Sequence, residues 1–279
     1  MKGLLQYTIN VRGNLVDLSN PQVMGILNCT PDSFYAGSRM QTETAVRDRA
    51  NQIIAEGGTM IDVGAFSTRP GGEQVSPEEE MHRLAFALKL VREEQPDAIV
   101  SVDTFRPDVA RMCVEEYGAD IINDVSEGGI TGIANVPLQE TKNMFEMVAH
   151  LRVPYILMSV KPTLHDMLIA FADEVQRLRD LGVKDIILDP GFGFGKTLEQ
   201  NYQLMREMDK LKVLELPILA GISRKSMIYK LVGGDPTTAL NGTTVLNTLA
   251  LERGASILRV HDVKACVEVT KMVKQMMTD

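Results

Sequence analysis

Residues 59–94 hold the pattern that decides the fold: a short apolar run, a polar loop and an amphipathic stretch. The run is Thr59-Met60-Ile61-Asp62-Val63-Gly64, and its aliphatic and β-branched residues are typical of a buried strand. Four apolar residues then recur at helical spacing: Met81, Leu84, Leu88 and Val91. Ser76 is suited to cap this helix and Pro77 to begin it. The stretch therefore predicts one strand followed by one helix, which ends near Glu94.

The same alternation continues along the whole chain. Eight apolar runs are predicted to be strands, at about residues 23–28, 59–64, 98–102, 120–123, 154–158, 185–188, 217–221 and 256–260. Their starts lie about 33 residues apart on average, and such alternation indicates a parallel sheet. Eight units allow a closed barrel or a doubly wound open sheet. Because one barrel takes about 250 residues and no linker divides this chain, we predict an α/β fold, a single (β/α)8 TIM barrel spanning 1–279 as one domain.

The first 20 residues are predicted to be an extension ahead of the first unit. The segments 7–12 and 15–16 flank Gly13-Asn14, which is typical of a small β-hairpin. We expect this hairpin to cap the bottom of the barrel.

Composition excludes several classes of protein. Lys and Arg number 29 against 37 Asp and Glu, and the net charge of −8 argues against binding to nucleic acid or to an acidic membrane. There is no apolar run of about 18 residues and no signal peptide, so we expect a cytoplasmic protein. The three cysteines are too widely spaced for a disulfide framework or a zinc motif.

Polar residues follow seven of the eight predicted strands, at the end of a barrel where active sites lie. The side chains that this places at one rim are Asn28, Asp62, Asp103, Asn123, Asp189, Lys225, Arg259 and His261. Any single Asp or Asn among them is equally well explained as a helix cap or a turn residue. Asp62 lies inside its strand, so a structural hydrogen bond is as good an explanation for it as a ligand contact.

The signs of these charges indicate what the rim would bind. The last two loops supply cations, together with Arg69 from the second loop: Arg224, Lys225, Arg259 and His261. Such groups suit phosphate oxygens. Asp103, Asn123 and Asp189 suit a ring edge that carries an N–H beside an exocyclic amine, as in a guanine-like or pterin ring. We therefore predict a heterocyclic substrate that bears phosphate or diphosphate.

The sequence shows no pairing of a nucleophile with a base, which favours chemistry by positioning and charge stabilisation. Asn28 could share a Mg²⁺ ion with diphosphate oxygens, since Mg²⁺ needs only one or two protein ligands in such sites. The glycines at 191, 193 and 195 predict a tight turn that presents Phe192 or Phe194.

Taken together, these residues resemble the dihydropteroate synthases of the folate pathway. The motifs that carry the resemblance are Met24-Gly25-Ile26-Leu27-Asn28, Thr30-Pro31-Asp32-Ser33-Phe34, Ser67-Thr68-Arg69-Pro70-Gly71, Ser101-Val102-Asp103-Thr104, Ile122-Asn123-Asp124, the run Asp189 to Lys196, Ser223-Arg224-Lys225-Ser226 and Arg259-Val260-His261-Asp262. The resemblance implies a transferase that joins 6-hydroxymethyl-7,8-dihydropterin diphosphate to 4-aminobenzoate. It also implies a dissociative, cation-like mechanism, a homodimer and a target of sulfonamides.

The resemblance also implies roles for individual residues. Asp103, Asn123, Asp189 and Lys225 would hold the pterin, and Asn28, Arg69, Arg259 and His261 the diphosphate, with Mg²⁺ at Asn28. The residues that would line the aminobenzoate pocket are Phe34, Thr68, Pro70, Phe194, Lys225 and Ser226. Those with a catalytic role would be Asp103, Lys225 and Arg69.

Two segments depart from the family pattern. Residues Leu157 to Thr163 replace a His-Met-x-Gly run, and Gly64-Ala65-Phe66-Ser67 stands where Gly-Glu-Ser is usual. The first departure bears on pterin binding and on the start of the next helix. This departure favours one alternative, a non-catalytic or partner-dependent pterin-binding homologue. A second alternative is an enzyme like the methyltetrahydrofolate-corrinoid methyltransferases, which would share the pterin-binding aspartates and asparagine but would have no use for the diphosphate set at Arg69, Arg259 and His261.

Overall fold

The computed structural model describes residues 7–29, 39–66, 75–128 and 143–277. Within these ranges, eight parallel strands close into a barrel, preceded by a two-stranded antiparallel hairpin. The hairpin strands are β1 (Thr8–Val11) and β2 (Asn14–Asp17). The barrel strands are β3 (Gln22–Asn28), β4 (Met60–Gly64), β5 (Ile99–Asp103), β6 (Ile121–Asp124), β7 (Tyr155–Met158), β8 (Ile186–Asp189), β9 (Ile218–Ala220) and β10 (Ala255–Val260). The predicted TIM barrel is confirmed, and each barrel strand lies within one residue of its predicted bounds.

Helices lie between the strands in the part of the chain that is described. They are α1 (Arg39–Ala55), α2 (Pro77–Glu94), α3 (Pro107–Glu115), α4 (Met144–Leu151), α5 (Leu164–Asp180), α6 (Leu198–Glu207), α7 (Ser226–Val232), α8 (Leu240–Glu252) and α9 (Val263–Met277). Two 3₁₀ helices, Met208–Leu214 and Pro236–Thr238, precede β9 and α8. The predicted cap of α2 is present, because the Ser76 side chain accepts a hydrogen bond from the Glu79 N–H at 3.2 Å.

Alternate residues of each barrel strand face opposite sides, as the pleat of a strand requires. In β4, Ile61 and Val63 join the large cluster that packs against the helices, whereas Met60 joins a smaller cluster in the barrel lumen. The lumen cluster contains one residue from most strands: Met24, Met60, Ile121, Ile156, Ile187, Leu219 and Ile257. This apolar layer forms a floor, and the lumen residues nearer the carboxyl ends of the strands lie above it.

The hairpin closes the other end of the barrel, as predicted. Ile9, Val11 and Leu18 are buried in the same cluster as the apolar floor. The turn itself is one residue earlier than predicted: Arg12 and Gly13 occupy it, with φ of 52° and 82°. Two successive positive φ values match the twist of a tight hairpin. The Arg12 guanidinium is also 3.0 Å from a carboxylate oxygen of Asp120, at the amino end of β6.

Two further observations concern the described ranges. The three cysteines are free and buried, in agreement with the absence of a disulfide framework. None of the helices described here combines the length and apolar character needed to cross a membrane.

Candidate active site

Six of the predicted site residues come together at the mouth of the barrel, above the apolar floor. They lie at or just after the carboxyl ends of their strands and are Asn28, Asp103, Asn123, Asp189, Lys225 and Arg259. On β3, β6 and β10, these residues fall two or four positions after a floor residue and so face the lumen. Side chains alternate between the two faces of a strand, so only every second residue near the end of a strand can reach the site.

Arg259 lies at the centre of this arrangement. Its Nε donates to Asp62 Oδ2 at 2.6 Å and its Nη2 donates to Asp103 Oδ2 at 2.7 Å. Burial by itself lowers the pKa of Arg259, but the two carboxylates outweigh burial and the pKa is raised. The guanidinium is therefore always charged. It reaches past β3, the neighbour of its own strand, to carboxylates on β4 and β5.

Asp62 belongs to the site, although the sequence left its role open. It is fully buried, and Asn123 Nδ2 donates to the same Oδ2 atom at 3.3 Å. Asp62 thus orients a cation on one side and an amide on the other. An acidic residue at a lumen position of a strand was the signal that pointed to it.

Three buried polar atoms in this layer have no hydrogen-bond partner within the described residues: Asp62 Oδ1, Asn123 Oδ1 and Ser101 Oγ. Ser101 is the register partner of Asp62 on the neighbouring strand, and Asn123 is that of Asp103. Buried polar groups are almost always paired, so unpaired acceptors at this depth indicate a position for water or for a ligand that carries N–H donors.

Asp103 is poised between its two protonation states. Burial raises its pKa, the Arg259 charge lowers it, and the neighbouring carboxylates of Asp62, Glu80 and Asp124 raise it further, to about 7. Both the acid and the carboxylate form are therefore populated near neutral pH.

Asp189 and Lys225 form the opposite side of the mouth. Burial raises the pKa of Asp189, and the nearby Lys225 ammonium opposes this shift. Burial likewise lowers the pKa of Lys225, to about 8. The Lys225 ammonium donates to the Phe192 carbonyl and lies 4.5 Å from the centre of the Phe194 ring.

The glycine-rich turn after β8 has the tight form that was predicted. Gly191, Gly193 and Gly195 have φ of 64°, 83° and 62°, in the region that favours glycine. Phe192 is buried, while Phe194 is half-buried beside Lys225. The turn therefore presents Phe194 to the mouth.

One cation of the last loops is paired within the protein. Arg224 makes a bidentate pair with Asp262, at 2.8 and 2.7 Å, and its Nη1 donates to the carbonyls of Pro236 and Thr237. Four hydrogen bonds thus hold the guanidinium against the protein itself, a pairing that the sequence did not predict.

His261 does lie at the rim, and its Nδ1 is 3.0 Å from Ser223 Oγ. This contact between a hydroxyl and an imidazole was not evident in the sequence. Ser223 Oγ also accepts the His261 backbone N–H at 3.1 Å, so the serine orients the imidazole.

Five further residues were predicted to belong to the site. Ser226 is the first residue of α7, directly after Lys225. Four others lie outside the described residues: Phe34, Thr68, Arg69 and Pro70.

The two segments that depart from the family pattern are both well packed where they are described. Phe66 packs edge-on against Phe105 at 4.9 Å, with the Arg106 guanidinium over both rings. After β7, helix α5 begins at Leu164, and its cap Thr163 accepts a hydrogen bond from the Asp166 N–H at 3.2 Å. The altered segment therefore still starts the next helix.

Comparison with known proteins places this geometry in context. The family described as pterin binding enzyme matches residues 24–261. A dihydropteroate synthase of Streptococcus pyogenes serotype M3 is 37% identical over 275 residues, which cover 95% of this chain and 99% of that protein.

Two solved structures are similar throughout. The dihydropteroate synthase of Xanthomonas albilineans with 4-aminobenzoic acid has a TM-score of 0.87 and 32% identity, covering 98% of this chain and 99% of that one. The same enzyme in complex with 7,8-dihydropteroate has a TM-score of 0.84 and 32% identity, covering 98% of this chain and 100% of that one.

Proposed function

The chain belongs to the pterin-binding enzyme family, as a transferase related to the dihydropteroate synthases, and we propose that it joins 6-hydroxymethyl-7,8-dihydropterin diphosphate to 4-aminobenzoate. The products are 7,8-dihydropteroate and diphosphate. The observation that carries the proposal is the set of unpaired acceptors, Asp62 Oδ1 and Asn123 Oδ1, beside the cations of Arg259 and Lys225. Acceptors beside cations suit a ring with N–H donors that carries an anionic group.

The pterin is bound by its amidine edge. The Asp189 carboxylate accepts hydrogen bonds from the exocyclic amine and the adjacent ring N–H, and such charge-assisted bonds are about twice as strong as neutral ones. Asn123 and Asp103 hold the other edge of the ring. This arrangement compensates for the burial that raises the pKa of Asp189.

The diphosphate lies toward the cationic rim. Arg259 and His261, with Arg69 from the second loop, would neutralise its charge. Arg259 needs no rearrangement to do so, because Asp62 and Asp103 already fix its orientation. Preorganised charge of this kind is usually the largest contribution to catalysis.

The bond that breaks joins the pterin methylene carbon to the diphosphate oxygen, and the electron pair leaves with the diphosphate. The methylene cation that remains is delocalised into the pterin ring and stabilised by the Asp103 carboxylate. The aniline nitrogen of 4-aminobenzoate then attacks the methylene carbon and loses one proton. The enzyme supplies no nucleophile. Burial raises the pKa of Cys29, next to Asn28, to about 12, so its thiol stays protonated.

A Mg²⁺ ion fits this chemistry through a single protein ligand. Asn28 is exposed at the end of β3, and a Cβ at Gly64 would lie in van der Waals contact with Asn28 Oδ1, at 3.7 Å, so the glycine leaves space beside this oxygen. An amide oxygen is a hard donor of the type that Mg²⁺ prefers. When bound, the ion would neutralise charge on the departing diphosphate.

The partners and location follow the same reasoning. We expect 4-aminobenzoate to contact Phe194, Lys225 and Ser226, and sulfonamides to compete with it there.

A homodimer is supported by exposed apolar residues on α7 and α8, among them Val232 at 73% and Val245 at 51% exposure. Two neighbouring helices with such side chains need a covering surface. The cytoplasmic location stays a prediction.

The experiment that tests the proposal is an assay of diphosphate release. The purified chain is given the dihydropterin diphosphate, Mg²⁺ and 4-aminobenzoate, and each is omitted in turn. Release that requires all three is the expected result. Tight binding of the pterin diphosphate in a calorimeter without any release would favour the non-catalytic homologue. Methyl transfer from a methylated folate would favour the methyltransferase alternative.

A further inference from the structure

The segment after β6 has a strained residue whose side chain points away from the solvent. Glu127 is fully buried and has a φ of 53°, a conformation that costs a non-glycine residue about 1–2 kcal/mol. The turn is held in this shape by Asp124, whose carboxylate accepts hydrogen bonds from the N–H groups of Ser126 and Gly128 at 2.7 and 3.0 Å and from the Tyr155 hydroxyl at 2.6 Å. The strain is thus maintained by several contacts at once.

The Glu127 carboxylate binds three consecutive residues directly after β7. Its Oε1 accepts hydrogen bonds from the Ser159 hydroxyl and from the Val160 N–H, both at 2.8 Å. Its Oε2 is 3.7 Å from the Lys161 ammonium. One side chain therefore fixes the segment in which this chain departs from its family.

That segment is in direct contact with the turn that carries Asp189. The Ser159 N–H donates to the Asp189 carbonyl at 2.9 Å, and the Ser159 carbonyl accepts from the Lys196 ammonium at 3.1 Å. Lys196 also donates to the carbonyl of Gly191 at 3.0 Å. A Cβ at Gly191 would collide with the Ser159 carbonyl, so these two backbones lie against each other with no side chain between them.

The chain of contacts ends at the pterin-binding carboxylate. The Gly191 N–H donates to Asp189 Oδ1 at 2.8 Å, which fixes the orientation of that side chain. A displacement of Ser159 would therefore move the Asp189 backbone and, through Gly191, its carboxylate. Displacements of about 1 Å in a binding site reduce rates by up to ~100-fold.

We propose that Glu127 is a positioning residue: it fixes Ser159 and Val160 and so holds the Asp189–Gly191 turn in the geometry that binds the pterin. The inference rests on the proposed function, because it assigns the pterin to Asp189. It gives the altered segment after β7 a role in positioning, since this segment connects the pterin carboxylate to Glu127 in the loop after β6. Glu127 itself makes no contact with substrate in this role.

The test measures pterin diphosphate binding by calorimetry in Glu127→Ala, Glu127→Gln and Ser159→Ala. We expect Glu127→Ala to weaken binding at least about tenfold. Glu127→Gln retains an acceptor for both donors and should restore affinity to within about threefold of the wild type. Ser159→Ala removes one contact with little risk to folding and should weaken binding by about threefold to tenfold.

Kinetics separate positioning from a general loss of structure. In each variant, KM for the pterin substrate should rise by a larger factor than KM for 4-aminobenzoate, because Ser159 contacts the backbone of Asp189 directly and reaches Phe194 only through the turn that follows. The matched control is Asp120→Asn: Asp120 is a buried carboxylate, 4% exposed, at the amino end of β6, and it accepts hydrogen bonds from the Val100 N–H and from Arg92, both at 2.8 Å. This control should leave both KM values unchanged.

The outcomes are distinguishable. If the wild type binds the pterin diphosphate and both Glu127→Ala and Ser159→Ala bind it equally well, the positioning role is wrong while the proposed function stands. The positioning role is also wrong if Asp120→Asn weakens binding as much as Glu127→Ala does. If the wild type itself does not bind, the proposed function fails and the positioning role fails with it.

Discussion

The two ends of the barrel are built from the same strands and differ in almost every physical respect. At the amino end, Met60 and Ile121 pack against Ile9 of the hairpin in a layer without charge. At the carboxyl end, two residues further along the same two strands, Asp62 and Asn123 lie in a buried polar network in which several atoms have no partner among the residues that the structure describes.

This difference separates stability from function along the length of one strand. Burial of apolar side chains at the base stabilises the fold, by about 25 cal/mol for each Å² removed from water. Burial of carboxylates at the mouth has the opposite effect, and the raised pKa values of Asp103 and Asp189 are its signature. Substitutions that create a cavity at the amino end should therefore destabilise the fold. Neutral replacements at the mouth should leave the fold stable and abolish turnover.

The largest effect is expected from Lys225→Ala at the mouth. The ammonium contacts the Phe192 carbonyl and the Phe194 ring and lies beside Asp189, so its loss affects both substrates. We expect kcat/KM to fall by about 100- to 1000-fold, as when one preorganised charge donor is removed. Steady-state kinetics measure this loss, and the melting temperature should stay within a few degrees.

The matched control is Lys230→Ala, an exposed lysine on the same helix, which should keep full activity. If Lys225→Ala retained more than about a tenth of the activity, the mouth would not be the reaction site that we propose.

Asp189→Asn is expected to have the next largest effect. Replacement of a charged acceptor by an amide should weaken binding of the pterin substrate by about 10- to 100-fold. Because burial raises the pKa of Asp189, its contribution to stability is present below the unfolded pKa near 4 and is lost as the pH rises. The variant should therefore gain stability relative to the wild type as the pH rises from acid to alkaline values.

Calorimetric titration, and urea unfolding compared between about pH 4 and alkaline pH, test the two effects of Asp189→Asn. Asp173→Asn, at an exposed position on α5, serves as the control and should change neither quantity. Unchanged pterin affinity in Asp189→Asn would show that the ring is oriented differently in the barrel.

A smaller effect is expected in the pH dependence of turnover. The pKa of Asp103 is about 7, and only its ionised form stabilises the methylene cation. We therefore expect kcat to rise up to about tenfold per pH unit below that value and to level off above it. The pH–rate profile of Asp103→Asn should lack this rise at acid pH, which is called the acid limb below.

Glu174 provides the control for the assignment of the acid limb, because burial raises its pKa to about 8 outside the mouth. Glu174→Gln should leave the acid limb in place. An acid limb that survives in Asp103→Asn would assign the titration to another group.

The smallest effect on turnover is expected from a substitution at the amino end of the barrel. Ile9 is 1% exposed beneath the apolar floor, and Ile9→Ala should reduce the free energy of unfolding by about 2–4 kcal/mol. Denaturant unfolding measures this change, while both KM values should equal those of the wild type. Leu15→Ala, 74% exposed on β2, should alter stability by less than about 0.5 kcal/mol. A change of KM in Ile9→Ala would show that the two ends are coupled.

The strands, the barrel and most of the rim could be predicted from the amino-acid sequence. Hydrophobic periodicity is a local property, so the strands were predicted to within one residue, and the Ser76 cap of α2 was predicted from a single residue type. The polar residues after the strands marked the carboxyl end of the barrel before any contact was known. The turn of the hairpin was misplaced by one residue, because Arg12 adopts a positive φ that its residue type does not favour.

The ion pairs between buried charged side chains could be seen only in the folded barrel. Arg259 pairs with Asp62 and Asp103, which are 197 and 156 residues away in sequence, because closure of the barrel brings β10 next to β3. The pairing of Arg224 with Asp262 was not predicted, and Glu127 gave no signal in the sequence. Periodicity determines which face a residue occupies, but the partner of a buried charge depends on which strands become neighbours, and that is decided only when the sheet closes.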